Sequence, residues 1–220
     1  SPINPTRWRC FMYSSILLNK SRLIAACILI FMSGNSDAWA SKINAPDLVI
    51  IHLNNALIAT MKLGSASSFQ ERYKKLYETV SKSFNFNEIA RFSLGGSWYK
   101  LSTQERHQFI QSLKDYSVAN YAVHFDHYSG QRFTPPVSTS KNDHQAIVKT
   151  ALISPNSGQK NTFSYLLRQR NGRWQIINVV TDGVSSLAMQ KAELTSLLKR
   201  EGFKALLNKL NDYYTNASHS

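Results

Sequence analysis

The sequence predicts an α+β fold built from helices and a four-stranded antiparallel meander, and two observations support this. Between residues 45 and 128, apolar side chains recur at helical spacing, behind Ser-x-x-Glu capping boxes. Between residues 132 and 181, β-branched and aromatic runs alternate with turn signals. A helical pattern then returns up to about residue 212. Because no internal repeat or low-complexity linker interrupts residues 41–220, the sequence favours one domain there.

The first forty residues have the features of a secretory signal peptide. Four basic residues precede an apolar run at 23–32, and Ala38-Trp39-Ala40 follows as a small-x-small cleavage signal. The run has about ten residues, half of the roughly 20 needed to span a bilayer. We therefore expect cleavage after Ala40, export, and no transmembrane helix in the mature protein.

An alternative is processing as a lipoprotein, because Ile24-Ala25-Ala26-Cys27 resembles a lipoprotein processing box. The apolar run continues beyond Cys27 through Phe31, so this cut would fall inside the hydrophobic segment. The position of the box therefore favours the cut after Ala40. Cys10 and Cys27 both precede that cut, which leaves no disulfide, cysteine metal site or cysteine nucleophile in the mature protein.

The charge balance predicts anionic partners. The chain has 26 Lys and Arg against 13 Asp and Glu, a net charge of +13. Cleavage after Ala40 removes four basic residues and one acidic residue, leaving 26 − 4 = 22 against 13 − 1 = 12, or +10. Export argues against nucleic acid as the partner. Membrane surfaces and phosphate head groups remain as the expected anionic partners. We expect a monomer that contacts the membrane surface transiently.

The helical half contains four predicted helices. The first runs from Asp47 to about residue 63, with Leu48, Ile51, Leu57 and Met61 among its expected apolar positions. Two capping boxes open longer helices, one at Ser68 extending to about residue 82, and one at Ser102 extending to about residue 128. Between them, Asn85 and Asn87 can cap a short helix that Gly95-Gly96 ends, with Trp98 in the next turn.

The sheet is predicted from four extended segments. Residues 132–138 contain Pro135-Pro136, which confines them to an edge or a bulge. Residues 146–153, 161–170 and 173–181 follow as strands, and Asn171-Gly172 is a strong hairpin signal. Asp182-Gly183 should end the last strand. We expect a helix from Val184 to about residue 198, an interruption at Gly202, a short final helix and a frayed tail at 215–220.

Several segments resemble the MlaC family of periplasmic lipid carriers, which includes the toluene-tolerance (Ttg2-type) proteins. The strongest is F-N-F-N-E-I-A-R-F-S-L-G-G-S-W at residues 84–98, followed by Tyr128-Ser129-Gly130, Trp174 and Asp182-Gly183-Val184-Ser185. Asn85 and Asn87 stand where the family often has acids, and Asp182 replaces a commoner Glu. With the run S-L-A-M-Q-K-A-E-L, these features look more like the hopanoid-associated (HpnM-like) branch. The resemblance covers roughly residues 45–212.

The resemblance implies a fold and a function. The fold would be a curved antiparallel sheet under helices, related to cystatin-like and NTF2-like folds, with a cavity for acyl chains between the two layers. The protein would be an auxiliary of an ABC-type lipid transport system that maintains membrane lipid asymmetry. It would shuttle a phospholipid or a hopanoid-type lipid between an inner-membrane transporter complex and an outer-membrane lipoprotein complex.

The resemblance and the faces of the helices and strands together predict the lipid-binding residues. Large apolar side chains on the long helix and on the sheet would contact the acyl chains, and two further residues would close the far side. Substituting two of them by Asp should abolish lipid co-purification. The predicted residues are Phe109, Leu113, Tyr116, Tyr121, Tyr165, Leu167, Ile176 and Val180, with Val184 and Leu187 at the far side.

Candidate catalytic patterns are weak. His124 and His127 lie at i and i+3 with Asp126 between them, but no H-E-x-x-H pattern exists. Ser185 lacks a nucleophile elbow, and neither a phosphate loop nor a dinucleotide fingerprint is present. We therefore predict a non-enzyme without metal or cofactor. Two other hypotheses remain: a ligand-free interaction module of the envelope, and a small exported enzyme that modifies lipids through His124 or His127.

Overall fold

The computed structural model describes residues 45–64, 66–155 and 157–218. The predicted signal peptide, its cleavage site and Cys27 lie outside these residues. The helices are α1 (Ala45–Met61), α2 (Phe69–Ser83), α3 (Phe86–Leu94), α4 (Thr103–His124) and α5 (Ser186–Ser218). The strands are β1 (Arg132–Phe133), β2 (Val137–Asn142), β3 (Gln145–Ser154), β4 (Gln159–Arg170), β5 (Arg173–Thr181) and β6 (Val184–Ser185). The predicted α+β class, with helices and an antiparallel sheet, is confirmed.

Both capping boxes form as predicted. The Ser68 hydroxyl accepts a hydrogen bond from Glu71 N, and the Glu71 carboxylate accepts one from Ser68 N at the start of α2. Ser102 and Glu105 make the same reciprocal pair at the start of α4. These bonds satisfy backbone donors that a helix start otherwise leaves unpaired. Helix α4 ends at His124, four residues before the predicted end.

Asn85 caps α3 by accepting a hydrogen bond from Glu88 N at 3.0 Å. Asn87, the other candidate cap, lies inside the helix. Gly95 ends α3 with a positive φ of 54°, and residues 95–100 continue as a short 3-10 helix that contains Trp98. The segment before α3 also joins the sheet, because Asn85 N donates to Ile176 O at 2.9 Å and thereby fixes α3 beside β5.

The described strands form one antiparallel sheet in the order β1-β3-β4-β5-β6, with β2 also paired to β3. The predicted first strand is divided into β1 and β2 around Pro135-Pro136, which lack the N–H groups needed to continue a ladder. Asn171 and Gly172 both have positive φ, 49° and 73°, as a two-residue hairpin turn requires. The four-stranded meander is therefore present, with short additional pairing at its edges.

The region after β5 differs from the prediction. Asp182 and Gly183 also have positive φ, 49° and 87°, and Thr181 pairs with Val184. Asp182-Gly183 is thus a second two-residue hairpin, and α5 begins at Ser186 instead of Val184. Gly202 interrupts α5 as predicted, with φ 82° and ψ −179°. The last half of α5 continues to Ser218, where the sequence predicted a frayed tail from residue 215.

The core lies between the helices and one face of the sheet. On α1 the buried residues are Ile50, Leu53 and Leu57, all fully buried, whereas Leu48 is 40% exposed and Ile51 is half-buried. The apolar positions predicted for α1 were therefore partly wrong. Apolar residues surround much of this helix, so their spacing alone does not determine which side is buried. None of the described helices is long and apolar enough to cross a bilayer.

Candidate functional site

Five of the ten predicted lipid-binding residues are buried in the apolar core that the helices form with the sheet. Phe109 and Leu113 are fully buried on α4, four residues apart and therefore on the same side of the helix. Tyr165, Leu167 and Ile176 are at most 1% exposed on the sheet, where Leu167 pairs with Ile176. All five belong to one apolar cluster. We call this cluster, with the residues packed against it, the interlayer region.

Tyr116, Tyr121 and Leu187 lie at the margin of the interlayer region, where they are partly buried against the same cluster. The Tyr121 ring lies 5.9 Å from the Phe84 ring and 5.8 Å from the Phe125 ring. Leu187 is the predicted residue on α5, and it packs against the cluster as a partly buried side chain. The Tyr116 ring lies 4.8 Å from the Tyr213 ring, also on α5.

Burial controls the ionisation of the tyrosines in this layer. Desolvation raises the pKa of Tyr165 well above its usual value, and the neighbouring Tyr121 raises it further. Desolvation likewise raises the pKa of Tyr116 and Tyr121. A phenol is already protonated at neutral pH, and burial extends this neutral form to higher pH, so each ring presents one uncharged hydroxyl. Such a surface suits an uncharged ligand segment better than a charged one.

Val180 does not share a face with Ile176, which corrects the face assignment made from alternation. The β4–β5 register shifts between Leu166 and Leu167, because Leu166 pairs with Asn178 whereas Leu167 pairs with Ile176. The extra residue, Ile177, is a bulge on β5. It moves Val179 onto the face of Ile176 and puts Val180 on the opposite face.

Val184 lies on β6 as the cross-strand partner of Thr181 instead of at a helix start. It and Val180 are both half-buried, and neither belongs to the described apolar cluster or to the residues packed against it. The structure thus brings eight of the ten predicted residues into or against one layer. Whether any of the ten contacts lipid stays a prediction.

The sequence analysis missed part of this layer. The α1 residues Ile50 and Leu53 and the β5 residue Val179 are core members that were not predicted as site residues. Spacing did not identify the α1 pair because apolar residues surround much of that helix. It did not identify Val179 because the bulge changes the face on which this residue lies. Phe163, whose ring is stacked 6.2 Å from that of Tyr165, was also not among the predicted site residues. The β-branched and aromatic run that contains it was the available signal.

Helix α3, which carries the family-like motif, does not supply any of the predicted lipid-binding residues. Its Glu88 is 8% exposed and accepts two hydrogen bonds from Arg168 Nη1, at 2.9 and 3.1 Å. Arg170 adds an ion pair at 3.2 Å. The Arg168 guanidinium also lies over the Phe92 ring at 5.7 Å. These contacts attach α3 to the face of β4 opposite Leu167, since neighbouring strand residues alternate.

The histidine pair shows ordinary helix-end chemistry. His124 Nδ1 lies 2.8 Å from Asn120 O, one turn earlier on α4, and His127 follows the end of that helix. Among the described residues, no group of three or more His, Cys, Asp or Glu side chains is placed to hold a metal ion. An open cleft lies at the turns of the β2–β3 and β4–β5 hairpins, lined by residues 142–145 and 168–172. None of the ten predicted residues lines it.

Comparison with known proteins identifies the same family as the sequence motifs. The family model described as MlaC protein matches residues 52–212, most of the chain. No curated protein matches the chain. A solved structure of a phospholipid-binding protein from Ralstonia solanacearum, in complex with a phospholipid, has the same fold with a TM-score of 0.68 at 14% identity. The alignment covers 80% of this chain and 99% of that one.

Proposed function

The chain belongs to the MlaC family, and we propose that it is a periplasmic lipid-binding carrier that holds acyl chains in the interlayer region. The observation that carries the proposal is the continuous apolar cluster of α1, α4 and the sheet, in or against which eight of the ten predicted residues are packed. The phospholipid seen in the Ralstonia protein of the same fold supports a lipid as the ligand class.

The physical basis of the proposal is the cost of exposing a lipid to water. At about 0.8 kcal/mol per methylene, transferring a two-chain lipid from a bilayer to water costs on the order of 20 kcal/mol or more. A protein interior that replaces the bilayer removes most of this barrier without any reaction. A carrier therefore needs an apolar interior and a polar exit, and it needs no catalytic group.

Export and partners are the next part of the proposed function. We infer that residues 1–40 are a signal peptide cut after Ala40, and that residues 41–220 form the mature carrier domain. The partners would be an inner-membrane ABC transporter complex and an outer-membrane lipoprotein complex, with a phospholipid or hopanoid-type lipid as cargo. The net charge of +10 expected after cleavage would assist docking on anionic surfaces, so that association should weaken as salt rises.

The experiment that tests the carrier proposal is lipid mass spectrometry of residues 41–220, purified without detergent. A lipid bound at one per protein would support the carrier and identify the cargo as a phospholipid or a hopanoid. A folded monomer that holds no lipid and takes none up from vesicles would instead support a ligand-free module.

A matched pair of variants locates the site. Tyr121→Asp with Leu187→Asp places two carboxylates at the margin of the interlayer region, and we expect this variant to lose co-purified lipid. Leu166→Asp with Val180→Asp changes two half-buried residues on the opposite face and should retain it. Circular dichroism confirms that both are folded. Equal lipid content in the two folded variants would contradict the assignment of the interlayer region.

A further inference from the structure

Four buried side-chain atoms have no hydrogen-bond partner among the described residues: Asp47 Oδ1, Ser81 Oγ, Asn54 Oδ1 and Thr181 Oγ1. Asp47 and Ser81 are half-buried residues, whereas Asn54 and Thr181 are buried. Asn54 on α1 is 5% exposed, and its side-chain oxygen Oδ1 is unpaired. Thr181, the last residue of β5, is 2% exposed, and its hydroxyl oxygen Oγ1 is unpaired. An unpaired polar atom inside a protein has lost its hydrogen bonds to water without replacement, so such atoms are uncommon and call for an explanation.

The two residues lie on surfaces that face each other. Thr181 pairs with Phe163 and stands two residues after Val179, on the face of the sheet that carries Tyr165. Asn54 lies in the buried stripe of α1, between Ile50 and Leu57, and α1 contacts β2, β3 and β5 as it crosses this face.

The position of Asn54 over the sheet follows from a contact at the start of α1. There the Ser138 hydroxyl of β2 donates to the Asp47 carboxylate at 3.1 Å. Asn54 is seven residues further along the helix, about 10 Å, which equals two strand spacings. Because α1 also contacts β5, this rise carries the helix from β2 toward the strand that ends at Thr181.

Other buried threonines near this layer are not left unpaired. The Thr150 hydroxyl, in the same cross-strand row as Thr181, donates to Thr134 O at 2.7 Å. The Thr60 hydroxyl on α1 donates to Ala56 O at 2.9 Å. The local structure can thus satisfy a buried hydroxyl without a ligand. The unpaired atoms of Asn54 and Thr181 therefore distinguish them from Thr60 and Thr150, and the burial of both residues distinguishes them from the half-buried Asp47 and Ser81.

We propose that Asn54 and Thr181 bind a hydroxyl group of the carried lipid. A hydroxyl can accept a hydrogen bond from Thr181 and donate one to Asn54, whereas an ester oxygen can only accept. A hydroxyl suits either orientation of the Asn54 amide. Thr181 directly precedes the exposed Asp182-Gly183 turn, so this polar site lies at a sheet end, where the polar part of a lipid would meet solvent. This inference rests on the proposed carrier function and specifies its cargo as hydroxyl-bearing lipids.

The test is competitive loading from vesicles, with phosphatidylglycerol and phosphatidylmethanol carrying the same acyl chains. The two lipids have the same net charge, and only the first has head-group hydroxyls. One gained hydrogen bond corresponds to an approximately fivefold preference. Native mass spectrometry should therefore show the wild type loaded about fivefold or more in favour of phosphatidylglycerol.

Substitution of Thr181 by valine preserves side-chain shape and removes the hydroxyl. We expect Thr181→Val and Asn54→Leu each to reduce the preference to about one while still loading lipid. Thr150→Val is the matched control, because its hydroxyl already has a partner, and it should keep the wild-type preference. A preference that persists in both Thr181→Val and Asn54→Leu would overturn the proposal.

The possible results distinguish failure of the hydroxyl site from failure of the carrier function. A wild type that loads both lipids equally would refute the hydroxyl site, and its polar atoms would then be satisfied by water, while the carrier function would stand. A folded wild type that loads neither lipid, and carries none when purified, would refute the carrier function itself. Mass spectrometry of the co-purified lipid also distinguishes the source of the hydroxyl, a phosphoglycerol head group or a hopanoid polyol.

Discussion

The two faces of the sheet are built from adjacent residues but hold their neighbours by different physics. On one face, Leu167 of β4 is fully buried in the apolar interlayer region. On the other, the next residue, Arg168, forms a two-bond contact with Glu88 and attaches α3. The first face depends on dispersion and the hydrophobic effect, and the second on directional, charged hydrogen bonds.

This difference separates the feature that identifies the family from the feature that would bind ligand. The motif at residues 84–98 is the most specific part of the sequence, yet its Glu88 and Phe92 hold α3 to the sheet. The predicted lipid-contacting residues come from ordinary-looking helix and strand patterns. The motif has two sides, because Glu88 and Phe92 hold α3 to the sheet while Phe86, Ile89 and Leu94 are buried in the interlayer region.

The largest effect should come from truncating neighbouring leucines on β4. Leu167→Ala removes a fully buried side chain from the interlayer region, and we expect a loss of about 2–5 kcal/mol in the free energy of unfolding. Leu166→Ala makes the same change on the half-buried opposite face and should cost distinctly less. Urea denaturation at pH 7 measures both. Equal losses would mean that the two faces do not differ as described.

The second-largest effect should come from the contact between Glu88 and Arg168. Glu88→Gln keeps the size of the side chain but leaves Arg168 without its carboxylate partner, and we expect a loss of about 2 kcal/mol in the free energy of unfolding. Glu78→Gln disrupts an ion pair with Lys82 whose side chains are largely exposed, and it should leave the urea midpoint unchanged.

Lipid loading by the Glu88→Gln variant tests whether this contact serves the fold alone or also ligand binding. If α3 only holds the sheet, the folded Glu88→Gln protein should still load lipid from vesicles as the wild type does. Loss of loading in a variant that remains folded would place α3 in the ligand-binding machinery. Circular dichroism and native mass spectrometry provide the two readouts.

The sequence predicted most of the elements because their signals are local. Both capping boxes, the Asn171-Gly172 turn and the break at Gly202 each depend on a few adjacent residues. The Asp182-Gly183 hairpin had an equally clear signal. It was missed because the following Val184 was assigned to a helix, although a two-residue Asp-Gly turn is typical of hairpins.

The site residues on the sheet could be predicted only where successive side chains of a strand alternate between its two faces. A bulge changes the face of every later residue on its strand, and nothing in residues 173–181 marks Ile177 as the extra residue. Val180 was therefore chosen where Val179 lies. The contact between Glu88 and Arg168 joins elements distant in sequence, which spacing within one element does not reveal.

Alkaline pH should selectively weaken the apolar face. Burial raises the pKa of Tyr165 well above the ordinary value of 10.0 and that of Tyr213 to about 12. Between pH 10 and 12 the unfolded chain loses tyrosine protons that the folded chain keeps, so stability is retained below pH 10 and falls as pH rises through this window. The urea midpoint at a series of pH values should show this decline.

A phenylalanine substitution tests the cause of the alkaline decline. Tyr165→Phe removes one buried phenol and should make the fall in the urea midpoint between pH 10 and 12 less steep. Tyr99→Phe, at a side chain that is 67% exposed, is the matched control. An identical decline in the two variants would show that burial of Tyr165 does not govern the effect.

The smallest effect distinguishes the two valines that the bulge places on opposite faces. Val179→Ala removes two methyl groups from the interlayer region, where the side chain is 8% exposed, and should cost about 1.5 kcal/mol in the free energy of unfolding. Val180→Ala removes the same groups from the half-buried opposite face and should cost less. Without the bulge at Ile177, strict alternation would put Val180 on the face of Ile176 and reverse this order. A greater loss for Val180→Ala in urea denaturation would therefore contradict the β4–β5 register, in which Val179 pairs with Tyr165 and Val180 with Ser164.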